Sequence, residues 1–109
     1  MPGPRITHDG RVLRDPRGSI WADMPEVSRF FGIVIRMYFD DHQPPHFHAF
    51  YGENEAQVGI DPINVLNGSL PNRAASMVFE WAALHQRDLM RNWDRLHSDQ
   101  MVERIEPLH

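Results

Sequence analysis

The sequence predicts an α+β domain in which a three- to four-stranded antiparallel sheet packs on one long C-terminal helix. Three observations predict it. Residues 31–39, "FGIVIRMYF", alternate apolar with mixed positions. Residues 46–66 hold further short runs of β-forming residues divided by Gly, Asp and Pro. Residues 69–98 carry one apolar stripe of helical period. Strands followed by a helix, rather than interleaved with helices, indicate an antiparallel sheet with one covered face.

The elements follow in chain order. In 31–39, Phe31, Ile33, Ile35, Met37 and Phe39 share one face, and Gly32, Val34, Arg36 and Tyr38 the other, the pattern of a half-buried strand. Asp40-Asp41-His42-Gln43-Pro44-Pro45 ends it, because adjacent prolines remove two backbone donors and stiffen the chain. "HFHAFY", 46–51, is a second strand, with His46, His48 and Phe50 on one side and Phe47, Ala49 and Tyr51 on the other. "EAQVGI", 55–60, is a third and "INVL", 63–66, a candidate fourth, closed by Asn67-Gly68.

The long helix starts at Ser69 as N-cap, with Pro71 in its first turn. Ala74, Val78, Trp81, His85, Leu89, Trp93 and Leu96 recur at steps of three or four and form its buried stripe. Trp81 and Trp93 belong to the core on this pattern, and His85 is expected there bonded to a backbone carbonyl. Arg87, Arg91 and Arg95 form a second row, read as solvated surface interleaved with Asp88 and Asp94. "MVERIEPL", 101–108, is compatible with a short edge strand limited by Pro107.

Composition narrows the function. A chain of 109 residues supplies one domain. Residues 1–23, rich in Gly, Pro and Arg, read as an N-terminal extension, an alternative start or added vector sequence, with Asp9-Gly10 suited to a hairpin turn. Residues 24–109 read as the domain. The absence of Cys excludes disulfides, zinc–thiolate sites and thiol nucleophiles. No signal peptide or membrane span is evident, so a soluble cytoplasmic protein is expected, with no membrane partner. The net charge of −4 argues against holding nucleic acid by bulk charge alone.

Three of the seven histidines fall in "FDDHQPPHFHAFYGE", 39–53. With Phe47 and Ala49 turned to the helix, His46 and His48 are expected on the open face beside Arg36 and Tyr38, with His42 on the adjoining loop. Two chemistries fit. One is general acid–base cleavage of RNA without a cofactor: His46 and His48 exchange protons, Arg36 stabilises charge on phosphorus, His42 supports, and Tyr38 or Phe50 stacks a base. The other is a metal site of His42, His46 and His48 for Zn, Fe or Ni, with Asp41 as a substitute third ligand. His46, His48 and Glu53 also match the first half of a cupin-like motif. A plain solvated surface, or a protein-interaction module without catalysis, accounts for the same residues.

From Met24 on, "MPEVSRFFGIVIRMYFDDHQPPHFHAFYGE", "NGSLPNRA", "EWAALHQRDLMRNW" and the terminal "IEPL" closely resemble a family of short bacterial proteins known only as domain of unknown function 4160. The resemblance implies no established activity. It does imply a place in two-gene cassettes of toxin–antitoxin type, with a small partner protein encoded next door. A weaker likeness to HicA-type toxins, which degrade mRNA, rests on a strand-borne His, here His46 or His48, and on "GSLP" at the helix start. Together these give the expectation of an RNA-binding, endoribonuclease-like half of such a pair.

Overall fold

The computed structural model describes residues 6–7, 11–12, 25–39 and 41–109. Among these residues seven strands and two helices follow one another: β1 (Ile6–Thr7), β2 (Arg11–Val12), β3 (Glu26–Phe30), β4 (Ile33–Arg36), β5 (His46–Tyr51), β6 (Asn54–Gly59), β7 (Val65–Gly68), α1 (Asn72–Leu84) and α2 (Gln86–Leu96). β1 and β2 pair antiparallel, Ile6 with Val12, as the expected hairpin requires. Its turn and the domain start at Met24 lie outside the described residues. β3 to β7 form one antiparallel meander in sequence order. The sheet thus has five strands rather than three or four.

The additional strand is β3. It escapes the alternation test because a bulge between Glu26 and Ser28 turns both Val27 and Ser28 inward. Phe31 and Gly32 then form a two-residue turn, both with positive φ, 49° and 81°, which suits the twist of a tight hairpin. Phe31, expected on the buried strand face, is instead a turn residue, 60% exposed. Glycine is required at Gly68 (φ 77°), where a Cβ would collide with the Glu55 carbonyl and the Ala56 backbone across the β6–β7 ladder. That close approach continues β7 through Asn67-Gly68, the pair expected from its turn propensity to end the strand.

The inward face of the sheet contributes Phe30, Ile33, Ile35, Phe47, Ala49, Ala56 and Val58, and the helices contribute Ala74, Val78, Trp81, Leu89, Trp93 and Leu96. Trp81 is fully buried between Phe30 and Phe47, at ring-centre distances of 5.4 and 5.7 Å. The single helix is in fact two. His85 leaves helical geometry (φ −123°, ψ 25°), while the Gln86 amide donates to the Ile60 carbonyl at 2.6 Å and fixes the start of α2 against the end of β6. The stripe continues through the break but changes partners there: Trp81 packs on the sheet centre and Trp93 on His46. The helix begins at Asn72 with Pro71 as cap rather than at Ser69, whose amide is engaged by the Glu55 carbonyl. His85 is half-buried beside Trp81, as the stripe implies, but its side-chain partner is Asp88 at 3.5 Å, not a backbone carbonyl. Arg91 is half exposed beside Asp88, in keeping with a solvated row, whereas Arg95 is largely covered and held by Glu103 and Asn92.

Residues 101–108 form no strand, yet they close the outer side of β3. The Ile105 amide donates to the Val27 carbonyl at 2.9 Å, and Trp81 Nε1 donates to the Glu106 carbonyl at 2.8 Å. Buried Asn92 holds Glu103 twice, donating to its carbonyl and accepting from its amide, both at 2.9 Å. Asn92→Ala removes both bonds, so a loss of about 1–3 kcal/mol is expected in denaturant titration. Asn92→Asp, which keeps only the acceptor, should fall between.

Candidate functional site

The two strand histidines project together, away from Phe47 and Ala49, as alternation requires. They are not on an open face. His46 is 6% and His48 3% exposed. The expectation of solvated imidazoles is therefore corrected, and three contacts explain the burial. The Tyr38 ring stacks on His48 at 4.1 Å and 8° between planes. Trp93 of α2 approaches His46 at 5.4 Å. The loop between β4 and β5 folds back over both, tied to the end of α2 where His97 Nε2 meets the Asp41 carbonyl at 3.1 Å. Tyr38, expected to stack a base, is occupied by His48.

Asp41 is the centre of the arrangement. Its Oδ2 lies 2.8 Å from His48 Nε2 and 3.2 Å from His46 Nε2. The outer nitrogens are engaged elsewhere: His46 Nδ1 lies 2.8 Å from the Pro44 carbonyl and His48 Nδ1 3.1 Å from Glu55 Oε2. A carbonyl can only accept, so His46 Nδ1 carries the proton. Its Nε2 is then a lone pair in neutral imidazole or a donor to Asp41 in imidazolium. Protonated at both nitrogens, His48 would donate to both carboxylates; as the Nδ1–H tautomer it would donate to Glu55 and present a lone pair to the centre.

The charges reinforce one another. Burial pushes the Asp41 carboxyl up, but hydrogen bonds from His46 and His48 outweigh it and hold it at about 2. The same bond from Asp41 raises His46 against the opposing effect of its burial, helped by the Pro44 carbonyl. Each shift has its own pH window. The Asp41 contribution to stability is present above its ordinary value of 3.8 and fades as pH falls toward about 2. The His46 contribution is complete below its ordinary 6.5 and is lost as pH rises through the raised value. Metal-free protein is accordingly expected to unfold at a lower denaturant concentration at about pH 8.5 than at about pH 5.5, and His46→Gln should remove most of that difference.

The remaining expected residues separate from this centre. His42 is exposed and lies outside the group of convergent donors, which is Asp41, His46 and His48. Arg36 is the cross-strand neighbour of His48, but its guanidinium lies 3.9 Å from the Glu26 carboxylate. Glu53 is exposed in the β5–β6 turn; the acid that meets His48 is Glu55, on β6. Sequence reasoning gave Asp41 only a substitute's role and missed Glu55. The spacing Asp41-x₄-His46-x-His48 was a usable signal for the first; only the β5–β6 register shows the second.

One side of the centre is accessible. Asp41 and His46 line an open depression of about 310 Å³ with His42, Gln43, Pro44, Gln57 and Leu66. A small antiparallel sheet backed by two helices, with a histidine–carboxylate centre under one loop, is the class of protein that fold and site define. The chain belongs to the family described as domain of unknown function (DUF4160), whose model matches residues 32–94. The matched span contains Asp41, His46, His48 and Glu55. No curated protein and no solved structure matches the chain. Among the described residues, no helix is long and apolar enough to cross a membrane.

Proposed function

We propose that this protein binds a divalent transition-metal ion through Asp41 Oδ2, His46 Nε2 and His48 Nε2. The observation that carries the reading is convergence: the three ligand atoms lie within 4.8 Å of one another, while the outer ring nitrogens face a carbonyl and a carboxylate. Ligand atoms at about 2.1 Å from an ion in octahedral or tetrahedral geometry are roughly 3.0–3.4 Å apart; Asp41 lies 3.2 Å from the His46 ring nitrogen and, somewhat closer, 2.8 Å from that of His48. Outer-nitrogen bonds of this kind fix the tautomer that offers Nε2 to a metal. Two imidazoles and one carboxylate suit Zn²⁺, Fe²⁺ or Ni²⁺ and leave positions for another ligand, toward which the ion acts as a Lewis acid.

Metal analysis of untagged protein tests the reading. About one equivalent of a single transition metal, retained through gel filtration, is expected. Protein that neither carries nor takes up such an ion would sink it. Uptake should strengthen with pH, by about tenfold per unit below the His46 pKa, because the ion displaces the His46 proton. Glu55→Gln, which weakens the outer bond to His48, should cost ~10–100-fold in metal affinity by calorimetry.

The endoribonuclease reading, with RNA and a small neighbouring protein as partners, draws less support. It needs two accessible imidazoles and a guanidinium beside them, whereas His48 is buried and Arg36 lies toward Glu26. Chelator-treated protein that cleaves RNA in a His46-dependent manner would restore it.

A further inference from the structure

We infer that the depression beside the cluster binds a small carboxylate that chelates the bound ion and is oriented by the side-chain amide of Gln57. The inference rests on the metal-binding reading above. Asp41 and His46 serve both as ion ligands and as walls of the depression. A ligand in this space would reach an ion held by these donors from the side of Asp41 and His46. At about 310 Å³ it is at the lower limit of small-molecule sites and suits a few-carbon compound.

The lining selects the ligand's charge. Among the described residues it contains no Arg, and its one carboxylate, Asp41, would be engaged by the ion. An anion gains little attraction from the protein alone. With Asp41 beside the ion and Glu55 held by His48, a divalent ion leaves the centre close to neutral, so an anion gains through direct coordination to the metal and not from bulk charge. Two adjacent oxygens of a short dicarboxylate or 2-hydroxycarboxylate would fill two neighbouring open positions.

Gln57 supplies the independent observation. It is the cross-strand partner of His48 on β5 and of Asn67 on β7. It is half-buried, and its amide has no hydrogen-bond partner among the described residues. It reaches the walls of two neighbouring depressions, the second lined also by Glu55, Asn67 and Gly68. An amide N–H donates to a carboxylate oxygen without adding charge. Pro44 and Leu66 give the carbon skeleton an apolar flank.

Oxalate is the probe. Calorimetry of the full chain loaded with Zn²⁺ should show one saturable oxalate site per ion, no binding to metal-free protein, and the ion still bound after gel filtration. Gln57→Leu and the isosteric Gln57→Glu should both keep the ion and weaken oxalate at least tenfold, the second more because of charge repulsion. The inference is overturned if loaded wild type keeps its ion but gives no saturable oxalate binding, if oxalate only withdraws the ion, if metal-free protein binds it equally, or if both variants bind it as wild type does. Wild type that takes up no ion overturns the metal reading first and this one with it. The ion-uptake arm therefore tells the two failures apart.

Discussion

Substituting His48 by Ala is expected to abolish stoichiometric metal binding, with Asp41→Ala doing the same. Each removes one of the three proposed ligands, and for His48 also the ring that carries the Glu55 contact into the centre. A loss of more than ~100-fold is expected, since disturbing an outer partner alone costs about 10–100-fold. The control is His42→Ala. His42 was part of the ligand set expected from sequence, but it is exposed and apart from the convergent donors. Its removal should leave metal affinity within about threefold of wild type, an effect below ~0.7 kcal/mol. If His42→Ala released the ion and Asp41→Ala kept it, the sequence-derived triad of His42, His46 and His48 would be the right one.

The largest stability effect is expected at Trp81. It is fully buried, packs on Phe30 and Phe47, and donates to the Glu106 carbonyl. Trp81→Ala leaves a large cavity and releases the C-terminal segment at one of its anchors. A cost of about 3–5 kcal/mol is expected, a large part of the 5–15 kcal/mol that typically stabilises a domain. Trp81→Phe refills much of the volume but leaves the Glu106 carbonyl without its donor, so it should cost roughly 1–3 kcal/mol. Denaturant titrations of the three proteins would decide it. A Trp81→Ala variant within about 1 kcal/mol of wild type would mean that the helix packs on the sheet by some other contact.

Trp81 was legible in the sequence because its neighbours on the stripe are local and periodic. Side-chain direction in β5 was legible for the same reason, and His46 and His48 do oppose Phe47 and Ala49. What failed depended on contacts between distant residues. Burial of the histidines needs the loop at Asp41 to meet His97 on the far end of α2, and no pattern within either segment announces that meeting. The bulge in β3 and the break at His85 likewise follow from how strands and helices press on one another. Glu55 became visible only when the β5–β6 register set Phe50 against it, two residue pairs along from His48 and Gln57 and on the same face.

The tail at Glu103–Glu106 has a consequence for association. It occupies the β3 border of the sheet through Ile105, while among the described residues the β7 border meets no strand. Cutting the chain ahead of Glu103 would uncover the β3 border and leave its backbone donors and acceptors open to pairing with another strand.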